Sequence, residues 1–336
     1  MATTTFEKKN SIVTGGAGFI GSHLCEALLQ EGRVICIDNL SNGSTGNIEH
    51  LLSHPDFIFL KHDITHPLDL ESVSELDRFR ITVQGVQEIY HAACSMSVKN
   101  FHEQRISILL ANSEGMKVAL DWAVKYKSKF IFLSSSSVYG QRVNDAAISE
   151  TFVGSVNHIT ERAAYDEGKR FAETMAHTYA EAYGVDVRIA RLFRTYGPRL
   201  KMYDEQMITE FVMNALDAVP LAIYGPETFR TTLLYVTDAV SGIMKLAKAG
   251  TYSEPVNLAG DEEFTFVDVA KRVMKVVGTE QEIRFDTPLT FLSEQPLADI
   301  THAKQVLGWM PLTRLDNGLQ HMVDYVTANK NRLSYE

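Results

Sequence analysis

Residues 11–21 read Ser-Ile-Val-Thr-Gly-Gly-Ala-Gly-Phe-Ile-Gly, and residues 22–30 continue Ser-His-Leu-Cys-Glu-Ala-Leu-Leu-Gln. A short apolar run that ends in closely spaced glycines and passes into helical periodicity is a strand, a tight turn and a helix packed back on the strand. Gly15 permits the turn, Gly18 lets backbone approach a ligand, and Gly21 lets the helix lie close on the strand. The helix amino terminus offers unpaired N–H groups and the positive end of its dipole, which suits a pyrophosphate. The stretch therefore predicts a dinucleotide-binding β-α unit.

The next strand, Val34-Ile35-Cys36-Ile37, ends in Asp38, about 20 residues beyond the glycines, where a carboxylate accepts hydrogen bonds from the adenosine ribose hydroxyls. The same charge repels a 2′-phosphate, and no arginine follows Asp38 before residue 78. NAD is expected rather than NADP. Beyond this unit, strand-like and helix-like segments alternate, with strands at 10–14, 33–37, 57–61, 87–91, 129–134 and 186–192 and the clearest helices at 18–30, 105–127 and 162–183. That alternation predicts an α/β fold, a Rossmann-type doubly wound parallel sheet.

After Gly197-Pro198-Arg199 the pattern changes to helices near 206–218, 237–248, 266–277, 301–307 and 315–327, separated by short extended pieces. The expected division is an NAD-binding domain over 1–195, with a returning segment near 230–260, and a smaller C-terminal α/β substrate-binding domain over 196–336. There are no internal repeats or long linkers, so the two parts should share an interface.

With 336 residues, 45% of them hydrophobic, the chain can bury a large core. Its net charge of −10 opposes the phosphates of nucleic acid. Cys25, Cys36 and Cys94 lack Cys-x-x-Cys spacing and read as small hydrophobes in a reducing cytoplasm. Met1 to Asn10 has no apolar leader core, and no apolar run approaches ~18 residues, so neither secretion nor membrane insertion is expected. His62, Asp63 and His66 cluster in sequence without a His-Glu-x-x-His helix or a cysteine set, and no metal site is expected. The serines at 134–137 lack the Gly-x-Ser-x-Gly turn of a nucleophile elbow.

Tyr165 and Lys169 stand four apart in Tyr-Asp-Glu-Gly-Lys-Arg, on one face of a predicted helix. A phenol is protonated at neutral pH, but a fixed ammonium beside it favours the phenolate and makes a base for an alcohol proton. The apolar run 130–133 delivers Ser134 to Ser137, Val138, Tyr139 and Gly140 to the carboxyl edge of the sheet, where such sheets bind ligands.

The Thr-Gly-x-x-Gly-x-x-Gly spacing at 14–21 resembles the short-chain dehydrogenase/reductase superfamily. In its extended branch, the NAD-dependent epimerase/dehydratases, the Ser or Thr four residues before the tyrosine of Val-Tyr-Gly joins the Tyr/Lys pair, and here that residue is Ser135. Further segments resemble UDP-glucuronate decarboxylases (UDP-xylose synthases): Tyr-His-Ala-Ala at 90–93, Tyr-Asp-Glu-Gly-Lys-Arg at 165–170, Thr-Tyr-Gly-Pro-Arg at 195–199, Val-Asn-Leu at 256–258 and Leu-Gly-Trp-x-Pro at 307–311. The resemblance implies oxidation of a nucleotide sugar at C4 by NAD, chemistry on the 4-keto intermediate, and return of the hydride.

Residue by residue, the resemblance assigns Tyr165, Lys169 and Ser135 to catalysis. Gly15, Gly18, Phe19, Ile20, Gly21, Asp38, Asn39, Gly43, Asp63, Ile64, Ala92, Ala93, Tyr165 and Lys169 go to the cofactor, with Asp63 at the adenine edge. Ser97, Ser136, Ser137, Arg194, Arg199, Tyr224 and Arg230 go to a UDP-sugar substrate. It also implies a homodimer through a four-helix bundle built from the helices at 105–127 and 162–183.

Departures from the decarboxylase pattern fall near the substrate. Ser137 stands where that family has glutamate, Arg194 where it has asparagine, and Ser293 to Ile300 lacks the family arginine. Arg230 is displaced by one residue relative to Tyr235. The oxidation machinery is complete, while the second step is open between decarboxylation and C4-epimerisation. A 4,6-dehydratase would want an Asp-Glu pair at Ser136 and Ser137. A plain nucleotide-sugar dehydrogenase and a non-catalytic NAD-binding regulator are the remaining alternatives.

Overall fold

The computed structural model describes residues 8–333 except 95–96, 143, 203, 205, 251–253, 288, 290–293 and 295. Ser293 and Gln295, part of the segment lacking the family arginine, lie outside the described residues. The strand, turn and helix at the amino terminus form as β1 (Lys9–Thr14) and α1 (Phe19–Leu29). β2 (Gly32–Asp38), β3 (Phe57–Lys61), β4 (Glu88–His91), β5 (Lys129–Ser135), β6 (Val187–Leu192) and β7 (Val256–Leu258) complete a seven-stranded sheet.

The strand order is β7-β6-β5-β4-β1-β2-β3, and every pairing is parallel. A parallel sheet is covered by helices on both faces, which is why Ile12, Val13, Val34, Ile35, Ile89, Phe130 and Ile131 are all buried without alternation. The chain leaves β1 toward β2 on one side and returns to β4 on the other. Such a reversal opens a crevice beyond the carboxyl ends of the strands.

The helix expected at 105–127 begins earlier and is not continuous. α2 (Phe101–Leu110) and α3 (Met116–Tyr126) are joined by one π-helical turn over Ala111–Gly115. Buried Asn112 lies in that turn, and its Nδ2 donates to the Ile108 carbonyl at 2.9 Å. α4 (Ala163–Tyr183) buries Ala163, Asp166, Gly168, Lys169, Ala172 and Ala176. These mostly small residues share one face and let α4 approach closely: a Cβ on Gly168 would lie 3.2 Å from Asn112 Nδ2.

A second core involves α5 (Met207–Leu216), α7 (Phe266–Val277) and α9 (Leu315–Leu333). α7 carries a capping box, with Thr265 and Asp268 satisfying each other's backbone donors. Between these, α6 (Val236–Lys248) and α8 (Thr301–Leu307) pack on the sheet side with Trp309, whose Nε1 donates to the Asp238 carbonyl at 3.0 Å. β7 therefore belongs to the first sheet, although it follows most of the second core's strands in sequence. No helix among the described residues is long and apolar enough to cross a membrane.

Candidate active site

A cavity of about 830 Å³ opens beyond the carboxyl ends of the strands. At one end lies the glycine turn. Gly15 adopts φ +69°, and a Cβ there would meet Ala92 and Ala93 backbone at 2.8 Å, so the turn is wedged against the end of β4. A Cβ on Gly21 would sit 2.1 Å from the Gly15 carbonyl oxygen, whereas one on Gly18 meets only that oxygen, at 3.2 Å. Gly21 serves packing within the protein. Gly18 leaves an open surface.

Gly18 caps α1 without a side-chain hydrogen bond, and the helix has no acidic residue in its first turn. The dipole and free N–H groups there face the cavity unopposed. Asp38 closes this end: its Oδ2 accepts from Ala17 N at 3.0 Å and its Oδ1 from Leu40 N at 2.8 Å. A carboxylate oxygen accepts more than one hydrogen bond, so Asp38 retains acceptor capacity on the cavity side. Asp63 accepts from Asn39 Nδ2 at 3.0 Å and from Thr65 N at 2.9 Å. The cradle, the bare helix end and the carboxylate fit a dinucleotide.

At the other end stand Ser135, at the end of β5, and Tyr165 and Lys169 on α4, all lining the cavity. Lys169 is buried, donates to the Leu133 carbonyl at 2.9 Å, and has its Nζ 5.9 Å from the Tyr165 ring centre. Burial lowers its pKa. Burial is also the largest influence on Tyr165, raising its phenol above the ordinary value, with Cys94 adding to the effect; a hydrogen bond from Ser135 and the charge of Arg162 oppose it. The sequence pattern assigns the lowering to Lys169, whereas in this arrangement the lowering influences are Ser135 and Arg162.

The floor behind these groups is braced by a polar network. Arg191 on β6 grips Glu173 on α4 through two hydrogen bonds of 3.0 and 2.7 Å, and Glu173 accepts from Ser134 Oγ at 2.5 Å. Such a bidentate pair fixes both strand and helix. It holds the element bearing Ser135 against the element bearing Tyr165.

All the residues expected at the cofactor line this one cavity: Gly15, Gly18, Phe19, Ile20, Gly21, Asp38, Asn39, Gly43, Asp63, Ile64, Ala92 and Ala93 with Tyr165 and Lys169. Of those expected at the substrate, Ser136, Arg194 and Arg199 line it and four do not. Ser97 is buried with its hydroxyl committed to Asp204. Ser137 is sealed behind the turn, its N–H donating to Ser135 Oγ at 3.2 Å. Tyr224 lies in a strand (Leu221–Tyr224) of the second core's side. Arg230 is exposed and paired with Glu263 at 3.3 Å, where it joins a surface ion cluster with Arg142 rather than the cavity.

Arg199, although a lining residue, is held by Glu26 at 2.6 Å. Sequence reasoning passed over Arg162, Cys94, Lys201 and Gln206, which also line the cavity. Arg162 had a signal: it precedes Asp166 by four, and the pair forms a 2.9 Å ion bridge under Tyr165. Among the described residues His62 and His66 join no group of three potential metal ligands, and His62 Nε2 meets the His66 carbonyl at 2.9 Å.

A family model described as the NAD dependent epimerase/dehydratase family matches residues 11–259. The chain belongs to that family. Among curated proteins, UDP-glucuronic acid decarboxylase 1 of Xenopus tropicalis is 36% identical over 320 residues, covering 95% of this chain and 72% of the relative. Among solved structures, UDP-glucuronic acid 4-epimerase of Bacillus cereus, in complex with UDP-glucuronic acid and NAD, has a TM-score of 0.82 at 27% identity, over 95% of this chain and 99% of the other. A dTDP-glucose 4,6-dehydratase of Bacillus anthracis in complex with NAD gives a TM-score of 0.82 at 27% identity, over 96% and 98%. The family description and both NAD complexes agree with the cofactor read from the glycine turn and Asp38.

Proposed function

We propose that this protein oxidises the C4 hydroxyl of a UDP-sugar and re-reduces the resulting ketone, using NAD that stays bound through the cycle. The observation that carries this reading is the convergence of Ser135, Tyr165 and Lys169 on the cavity that begins at the glycine turn and Asp38. Bound NAD supplies the hydride acceptor and later the donor. Ser135 orients the C4 hydroxyl, Tyr165 accepts its proton as the hydride leaves, Ser135 and the charge of Arg162 favour the phenolate that must form, and Lys169 holds the nicotinamide ribose. On the return step Tyr165 gives the proton back to the C4 oxygen.

The resulting ketone weakens bonds β to it, so a C5 carboxylate is poised for loss. The curated relatives' name supports that outcome, with UDP-glucuronate as substrate. A second reading, C4-epimerisation, has its own support: the described lining residues include no glutamate, and Ser137, at the family glutamate position, does not reach the cavity. Epimerisation needs only Ser135, Tyr165 and a ketone free to turn over. Incubation with UDP-glucuronate and NAD followed by chromatographic separation and mass analysis decides: loss of carbon dioxide means decarboxylation, and a separately eluting product of unchanged mass means epimerisation. Steady accumulation of NADH would instead reveal a plain dehydrogenase, and no turnover of any UDP-sugar would overturn the proposal.

The outer faces of α2 and α4 support a homodimer. Met116, Val118 and Leu120 are spent in the core, but Ile106 is 69% and Phe171 50% exposed, with Leu109, Leu110 and Tyr183 also on the surface. An apolar band across two adjacent helices suits the four-helix homodimer expected of the family. The double variant Ile106→Glu, Phe171→Glu should sediment as a monomer with its fold intact; a wild-type protein that is monomeric at micromolar concentration would refute the dimer.

A further inference from the structure

Arg194 lies two residues beyond the end of β6, and its backbone carbonyl accepts from Leu234 N at 2.9 Å. Its side chain lies over the Phe266 ring, 5.4 Å from the ring centre, and lines the cavity together with Ser135, Ser136 and Tyr165. Its Nε is shut off from solvent and has no hydrogen-bond partner. No ion pair to its guanidinium is formed among the described residues. The other arginines of the cavity are matched: Arg162 by Asp166 at 2.9 Å and Arg199 by Glu26 at 2.6 Å.

The imbalance is local. Among the described lining residues the acids are Asp38 and Asp63, and both belong to the β2–β3 end, away from Tyr165. Burial, with the nearby charge of Arg162, lowers the Arg194 pKa to about 10, so the group remains a cation at neutral pH. An arginine withdrawn from water and left without an anion is costly to the fold. A ligand anion beside Ser135 and Tyr165 would relieve that cost.

We infer that Arg194 is the group that recognises a carboxylate on the sugar, making a UDP-hexuronate the preferred substrate over its neutral hexose counterpart. This rests on the UDP-sugar reading above. A planar guanidinium held over an aromatic ring can present its fork bidentately to a carboxylate, which an ammonium at the same place would not do. The alternative anion at this position is the nucleotide diphosphate, and affinity measurements separate the two.

The test is calorimetric binding of UDP-glucuronate, UDP-glucose and UDP to the NAD-loaded wild type and to Arg194→Gln. Wild type should bind UDP-glucuronate more tightly than UDP-glucose, and the variant should lose at least about tenfold in affinity for UDP-glucuronate alone. Arg194→Lys should recover only part of it. Equal losses for all three ligands would place the diphosphate on Arg194 and overturn the inference, as would an unchanged affinity for UDP-glucuronate. If wild type binds none of the three, the UDP-sugar reading falls as well. Thermal unfolding of the ligand-free variant guards against misfolding: removing an unmatched cation should leave Tm unchanged or higher, and a lower Tm would count against an unpaired charge.

Discussion

Tyr165→Phe is expected to cut the rate of C4 oxidation by about a thousandfold, the middle of the range for removal of a general base, or ~4 kcal/mol of barrier. NAD affinity should change little, because the ring and its packing under Arg162 persist. Wild-type turnover in the oxidation direction should climb with pH from neutrality, up to about tenfold per unit. Burial holds the phenol protonated, and each rise in pH increases the phenolate fraction until the phenol titrates. The variant's profile should be flat. Single-turnover absorbance of the reduced nicotinamide measures both, and a Tyr165→Phe protein that keeps its rate and its slope would remove Tyr165 from catalysis.

Gly21→Ala should act on the fold itself. The new Cβ would fall 2.1 Å from the Gly15 carbonyl oxygen and 2.9 Å from Gly16 Cα, both backbone atoms of the turn. α1 must move off β1, or the turn must open and surrender the 3.1 Å bond from Gly18 N to Gly15 O. Overpacking of this kind costs about 1–3 kcal/mol, or ~1–2 °C of Tm per kcal/mol in a chain of this length. NAD affinity should fall with it. Gly18→Ala is the contrasting variant, since its Cβ meets one atom at 3.2 Å. It should keep its Tm yet lose NAD binding, because the methyl group occupies the approach to the helix end. Differential scanning calorimetry and NAD titration read the pair; equal losses of stability in both would refute the division of roles between these glycines.

The parts of the site that were legible in the sequence are those that a local pattern encodes. Gly15, Gly18, Gly21 and Asp38 are spaced by the geometry of one β-α-β unit, and Tyr165 and Lys169 by one helical turn, so sequence separation converts directly into position. The expected substrate residues that do not line the cavity depend on loops whose direction no periodicity specifies. Ser97 turns to Asp204, more than a hundred residues on, and Arg230 to Glu263 across an antiparallel pairing with Thr265. The break at Ala111–Gly115 was equally hidden, because a π turn adds one residue without disturbing the apolar spacing enough to mark it.

The sequence by itself determined a parallel sheet, a glycine turn, a carboxylate at the end of the second strand and a Tyr/Lys pair on one helix face, since each rests on short-range backbone geometry. Only the tertiary structure decided which arginines are free to meet a ligand. Arg162, Arg194 and Arg199 look alike in a sequence, but among the described residues Asp166 and Glu26 form ion pairs with two of them and leave the third without one in the cavity that Ser135 and Tyr165 also line. Charge compensation is a property of distance through space, and the chain order of Glu26 and Arg199, at opposite ends of the sheet domain, carries no record of it.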